Sequence, residues 1–251
     1  MEYQHMAYIY DQFMSDAPYE KWAFFAREMF EKSNKKIKRI ADLGCGTGEI
    51  TSMLAQKGYS LAGIDNSLEM LSLAEQKAFN QNLKIHWLEQ DIRLLEGLSG
   101  FDAAISFCDV INYITTLDDV KSVFQNTWNL LNDQGIFLFD VHSLYHVKHN
   151  MVNNTFAEVT DQTSYIWFCN EGEEQGEMYH DLTFFTLSNN HYIRFDETHF
   201  QKVFSIETYQ ELLKETGFNI RGIYSDFQFG TNTISMKPER IFFFAEKIGD
   251  K

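Results

Sequence analysis

Ile40-Ala41-Asp42-Leu43-Gly44-Cys45-Gly46-Thr47-Gly48-Glu49 is the stretch that decides how this chain is read. A short strand runs into three glycines, each separated by one residue, and a helix opens behind them. Glycine serves where backbone turns sharply or where a ligand comes close to the main chain. The spacing departs from the dinucleotide fingerprint, whose third glycine falls one residue later. No Lys-Ser/Thr follows Gly48, so this is not a Walker loop either. Asp42 at the strand end repels a phosphate and suits a ligand with an amino group and a positive charge. S-adenosylmethionine has both, with a nucleoside at one end, an amino acid at the other and a sulfonium between.

Outward from the loop, short apolar strands alternate with amphipathic helices. Strands are predicted at 39–43, 60–64, 84–89, 101–107 and 135–141. Helices are predicted at 48–57, 67–80 and 117–131, the last opened by a Thr116-x-x-Asp119 cap. Upstream, Pro18 starts a helix through Trp22, Phe24, Phe25 and Met29. This rhythm implies a parallel sheet with helices on both faces. After residue 141 it breaks into aromatic and β-branched runs at 164–169, 181–187 and 191–204, the pattern of an antiparallel meander. A helix at 205–216 stopped by Gly217, and strands at 219–224 and 240–245, resume the first pattern. The meander is therefore expected as an insertion. Residues 1–141 and 205–251 form an α/β domain with an N-terminal helical lid, and 142–204 an inserted antiparallel β lobe over the active site.

The chain has 251 residues, 44% hydrophobic and 23% charged, an ordinary globular composition. It lacks a run of about 18 apolar residues, so no spanning helix is expected. Met1-Glu2-Tyr3-Gln4-His5 has neither a basic nor an apolar leader region, and no secretory signal is expected. Cys45, Cys108 and Cys169 are far apart, which disfavours a disulfide framework or zinc site and fits a reducing cytoplasm. The histidines show no metal-ligand spacing, and no metal is expected. A net charge of −15 disfavours nucleic acid as a partner. The basic run at 32–39 reads as a solvated approach to the first strand.

In a doubly wound sheet, ligands sit outside the carboxyl ends of the strands. Asp65 ends the second strand and can accept both hydroxyls of a ribose; Asn66 and Ser67 supply the caps for the next helix. Asn66 and Met70 count as cofactor contacts in the same turn. Asp91 and Ile92 follow the third strand. Asp91 suits the adenine amino group and Ile92 the ring face, or Asp91 is a loop carboxylate in water; both readings stand. Cys108, Asp109, Asn112 and Tyr113 follow the fourth strand, between cofactor and acceptor. Alternatively, Asn112 and Tyr113 only shape the turn.

Together these positions resemble the class I S-adenosylmethionine-dependent methyltransferases, and more narrowly the bacterial YqeM-like group. The likeness spans almost the whole chain. It includes Ala7-Tyr8-Ile9-Tyr10-Asp11, Ala17-Pro18-Tyr19, Asp42 to Glu49, Gly63-Ile64-Asp65 and Phe139-Asp140-Val141-His142-Ser143. It also includes Tyr192-Ile193-Arg194-Phe195-Asp196-Glu197-Thr198-His199. The resemblance implies a Rossmann-like seven-strand, mostly parallel sheet with an antiparallel last strand. It further implies cofactor binding along Gly44, Cys45, Gly46 and Gly48, with ribose on Asp65 and adenine by Asp91 and Ile92. Ile92 stands where that group commonly has methionine. Val110 stands where serine is common, so no hydrogen-bonding role carries over there.

Tyr10, Tyr19 and Trp22 fit a lid whose aromatic faces attract the sulfonium, or else belong to a core helix. In the meander, alternation puts Phe195, Glu197 and His199 on one face and Arg194, Asp196 and Thr198 on the other. His142 or His199 is placed to take a proton, with Tyr113 a third catalytic candidate. Arg194 would hold a substrate carboxylate, and Glu197 and Asn112 would touch the acceptor. For each of these a structural or surface role is the competing reading. The expected activity is methyl transfer from S-adenosylmethionine to an N or O nucleophile of a small molecule. A tRNA or protein methyltransferase, or a cofactor-binding module without catalysis, is the alternative.

Overall fold

Strand β1 (Arg39–Leu43) is buried from Ile40 onward, so it needs cover on both faces. The computed structural model, which describes residues 17–188, 190–228 and 234–249, places it inside a seven-stranded sheet. Tyr10 and the 7–11 motif lie outside the described residues. On one side of β1 lie β2 (Ser60–Asp65) and β3 (His86–Glu89). On the other lie β4 (Phe101–Ser106) and β5 (Leu131–His142), then β11 (Arg240–Lys247) and β10 (Phe218–Ser225) at the edge. The first five strands are parallel, and β11 is antiparallel to both its neighbours. The strand order turns back between β1 and β4, which opens a crevice at their carboxyl ends.

The period-two alternation of the strands divides two cores. Ile40, Ile105, Leu138 and Phe242 face α1 (Tyr19–Lys32) and α2 (Glu49–Gln56). Leu43, Phe137, Phe139 and Phe243 face α4 (Leu117–Leu130) and α5 (Ile206–Glu215). Helix α3 (Leu68–Asn80) joins β2 to β3. Helix α1 follows Pro18 and buries Trp22, Phe25, Ala26, Met29 and Phe30, one stripe at helical spacing. The predicted cap is present, since the Thr116 hydroxyl accepts from the Asp119 N–H at 3.1 Å.

Between β5 and α5 the chain makes two helical turns (144–151) and a separate antiparallel sheet. Its strands are β6 (Asn154–Val159), β7 (Thr163–Glu171), β8 (Glu177–Ser188) and β9 (His191–Lys202). The sequence pattern predicted three of these. It passed over β6 because that edge strand is exposed along nearly its whole length and shows no apolar alternation. A small third core of Val147, Met151, Cys169, Met178 and Val203 seats the sheet on the turns before it. Among the described residues, no helix is long and apolar enough to cross a membrane.

Candidate functional site

The loop after β1 needs its glycines. Gly44, Gly46 and Gly48 adopt φ of +75°, +53° and +76°, a region that L side chains rarely enter. A β-carbon on Gly44 would lie 2.3 Å from Val110 Cγ1, whereas one on Gly46 would point into open space. The loop is pinned from below. The Gly44 and Cys45 N–H groups donate to the Ile64 carbonyl at 2.8 and 3.0 Å, and the Gly46 N–H donates to Asp65 Oδ2 at 2.8 Å. Asp65 Oδ1 accepts from the Ser67 N–H at 2.9 Å. Each Asp65 oxygen still has a lone pair for a ligand.

These groups border a cavity of about 530 Å³ outside the carboxyl ends of β1 to β4. Asp42, Gly44, Cys45 and Gly46 form one wall. Asp65, Asn66 and Met70 come from the β2–α3 turn, and Asp91 and Ile92 from the turn after β3. Cys108 and Tyr113 follow β4, Tyr19 reaches in from α1, and Glu197 and His199 descend from β9. Glu197 and His199 share a face of the strand, and the His199 Nε2 to Glu197 Oε2 distance is 2.8 Å. The Tyr113 ring meets the His199 ring edge-on, with centroids 5.8 Å apart. A wider groove of about 890 Å³ lies between α1 and α2, beside Phe24 and Met53, and lacks the carboxylates of Asp42, Asp65 and Asp91.

Six residues selected from sequence do not line the cavity. Trp22 is 6% exposed; its indole N–H donates to Asp140 Oδ1 at 3.2 Å and its ring carries the Arg240 guanidinium. Gly48 abuts Trp87, whose ring would lie 2.6 Å from an added β-carbon. Asn112 is fully buried, accepting the His142 N–H at 3.0 Å and donating to the Lys202 carbonyl. Asp109 lies behind the wall, paired with Arg240 at 3.0 Å, with His142 Nε2 at 3.7 Å. His142 turns toward that carboxylate and stacks on His146. Arg194 has a 61% exposed side chain bound to Asp196 at 2.8 Å.

A buried polar chain that sequence reasoning missed runs beneath the site. The Trp167 indole can only donate, so His180 Nδ1 accepts from it at 3.0 Å and His180 Nε2 carries the hydrogen. That Nε2–H faces Gln201 Oε1 at 3.2 Å, which turns the Gln201 amide nitrogen toward Asp109 Oδ2. Asp109 and Asp140 share Arg240, and Asp140 Oδ1 also accepts from the Cys108 N–H at 2.9 Å. One signal was available: Asp140 and Arg240 are charges set against the apolar runs 136–141 and 241–245.

Burial raises the Asp42 carboxyl to about 7, against the lowering hydrogen bond from the Thr51 hydroxyl at 2.5 Å. Hydrogen bonds from Arg93 hold Asp91 below the usual carboxylate range. Burial pushes the Cys45 and Cys108 thiols well up. Burial would also raise Asp109, but the attraction of His142 and Arg240 outweighs it and holds the group low. Burial and the Asp109 charge raise the Tyr113 phenol. Carboxylates at successive strand ends, the apolar Ile92 and an open glycine backbone fit a nucleoside that ends in a cationic amino acid.

Comparison with known proteins agrees. A methyltransferase-domain family matches residues 40–135. The chain is 42% identical over 249 residues to the YqeM protein of Bacillus subtilis (strain 168), covering 98% of each. A solved S-adenosylmethionine-dependent methyltransferase from Clostridium acetobutylicum superposes with a TM-score of 0.88 at 32% identity, covering 99% of this chain and 100% of that one. CalS10, an amino pentose methyltransferase from Micromonospora echinaspora solved with S-adenosylmethionine bound, shares the fold. Its TM-score is 0.76 at 13% identity, with 96% of each chain covered. The chain belongs to the S-adenosylmethionine-dependent methyltransferases, in the group of the Bacillus YqeM protein.

Proposed function

We propose that this enzyme methylates an N or O nucleophile of a small molecule held between the cofactor and the antiparallel sheet. The observation that carries this reading is the Glu197–His199 pair, which faces the same cavity as the glycine loop and the strand-end carboxylates. Residues 1–141 with 205–251 then form the cofactor domain, and 142–204 its roof. The likeness to an amino pentose methyltransferase in fold also favours a small acceptor. The free thiols of Cys45, Cys108 and Cys169 fit a cytoplasmic setting.

In this reading Asp65 takes the ribose hydroxyls, and Asp91 and Ile92 take the adenine. Asp42 and the backbone from Gly44 to Gly46 receive the amino-acid end, and Tyr19 offers its ring to the sulfonium. When bound, S-adenosylmethionine supplies a methyl group activated by positive sulfur. The chain supplies alignment, a dry site and a path for the acceptor's proton. Glu197 orients His199 by accepting its Nε2–H, which leaves Nδ1 to take that proton. Tyr113 keeps its own proton at neutral pH and serves as a donor rather than a base. The Cys45 and Cys108 thiols stay protonated, which keeps them poor nucleophiles beside a methyl donor.

Calorimetry tests the reading. S-adenosylhomocysteine should bind, and Asp65→Ala should weaken it by more than about 1 kcal/mol through lost charge-assisted hydrogen bonds. Absence of binding at millimolar ligand overturns the assignment of the cavity. Unchanged affinity in the variant removes Asp65 from it.

A further inference from the structure

Resting on the methyl-transfer reading of this cavity, we infer that the acceptor is an amine, cationic in water, on a frame without phosphate or carboxylate, and that Glu197 selects it. Among the described residues the wall carries the carboxylates of Glu49, Asp65, Asp91 and Glu197, with the Asp42 carboxyl beside them, against one guanidinium, Arg93. Arg93 is committed: its Nε reaches both Asp91 oxygens at 3.0 Å and its Nη2 reaches Oδ2 at 2.5 Å. Arg240 is held behind the wall by Asp109 and Asp140, and Arg194 by Asp196. Residues 1–16 contain neither Lys nor Arg. An anionic acceptor entering this cavity gives up water and meets like charge, and among the described residues no uncommitted basic side chain lines the cavity to offset it.

The carboxylates divide by position. Asp42, Asp65 and Asp91 stand at strand ends, on the cofactor side, and Glu49 is paired with Lys77 at 2.5 Å. Glu197 alone among them comes from the second sheet, beside His199 and Tyr113. Its Oε2 takes the His199 bond, and among the described residues none bonds Oε1, which is left for a ligand cation. The Glu197 side chain is 23% exposed, so an ammonium placed there is screened less than at an open surface. The ammonium must lose one proton before its nitrogen has a lone pair. His199 takes that proton, giving a neutral amine and an imidazolium that Glu197 stabilises. A hydroxyl acceptor gains the same help in losing its proton but brings no positive charge for the Glu197 carboxylate to hold.

Ligand-observed NMR on the protein saturated with S-adenosylhomocysteine tests this with matched frames. The two sets are cyclohexylamine, cyclohexanol and cyclohexanecarboxylate, and glucosamine, glucose and glucosamine 6-phosphate. The amine of each set should bind at least about tenfold more tightly than its partners. Glu197→Gln, with S-adenosylhomocysteine affinity as the check on its fold, should abolish that preference. Glu197→Lys should move it to the carboxylate. Amines that bind no better than their partners, or a preference that survives in Glu197→Gln, overturn the inference. A protein that fails to bind S-adenosylhomocysteine overturns the methyl-transfer reading instead.

Discussion

Gln201 donates from Nε2 to Asp109 Oδ2 at 3.2 Å, and this bond joins the antiparallel sheet to the turn after β4. Gln201 stands on β9 two residues beyond His199, on the same face of the strand. Asp109 follows Cys108 in a turn where both residues hold positive φ, +59° and +55°. Such backbone persists only when its surroundings over-determine it. Here the Cys108 N–H is bound to Asp140, and the Asp109 carboxylate to Arg240 and Gln201. Cys108 and Val110, either side of Asp109, both line the cavity. The position of the Glu197–His199 pair on β9 and the shape of the cavity wall are thus set at one carboxylate.

Replacing Gln201 with Leu removes a donor from the half-buried Asp109 and orphans the Nε2–H of the buried His180. The expected loss is about 1–3 kcal/mol in urea unfolding. Because His180 and Gln201 share a bond, His180→Leu combined with Gln201→Leu should cost less than the sum of the single changes. Strict additivity would mean that the chain Trp167–His180–Gln201–Asp109 is not one unit.

His180 also sets a pH dependence. It is 5% exposed, and burial lowers its pKa to about 4, whereas an unfolded histidine titrates near 6.5. Between those values the unfolded chain binds the extra proton. This contribution to stability is therefore full above about pH 6.5 and is lost as pH falls toward 4, up to about 3 kcal/mol. Asp42 acts in the opposite sense. Raised to about 7, it makes the native chain hold the extra proton between about pH 4 and 7, so its contribution grows as pH falls. His180→Gln keeps an acceptor for Trp167 and a donor for Gln201 but removes the titration. At about pH 4.5 it should exceed the wild type by about 2 kcal/mol, and at about pH 7.5 the two should nearly coincide. Equal pH slopes in both proteins would exclude His180 as the source.

The sequence-selected residues that line the cavity are those whose meaning is local. Gly44 and Gly46 sit in a loop whose φ values demand glycine, and Asp65 and Asp91 close their own strands. Glu197 and His199 follow from period-two alternation within one strand. Trp22, Asp109, Asn112 and His142 carry the same polar or aromatic chemistry but turn away from the cavity. Their partners lie far along the chain. Trp22 binds Asp140, 118 residues on, and Asp109 binds Arg240, 131 residues on. Only the order of the sheet, which brings β5 and β11 side by side behind the β4 turn, turns those side chains inward. Arg194 lies outside the cavity for a different reason: alternation put it on the face opposite His199, and its exposed side chain is paired with Asp196.

Gly44 offers a separable test of the loop. A β-carbon there meets Val110 Cγ1 at 2.3 Å and Cγ2 at 2.7 Å, and the residue sits at φ +75°. Gly44→Ala therefore carries two penalties, a clash with Val110 and left-handed strain of about 1–2 kcal/mol. Val110→Ala in the same chain removes the two nearest carbons, leaves Val110 Cβ in tight contact at 3.1 Å, and leaves the strain. The single Gly44→Ala variant should lose stability and bind S-adenosylhomocysteine at least about tenfold more weakly. The double variant should recover part of the stability, and a greater part of the affinity, because the cavity wall at Val110 is no longer displaced. Calorimetry and urea unfolding of both proteins check this. Full recovery of both quantities would mean that the left-handed backbone at Gly44 costs nothing. No recovery of either would mean that the loop is set by something other than its contact with Val110.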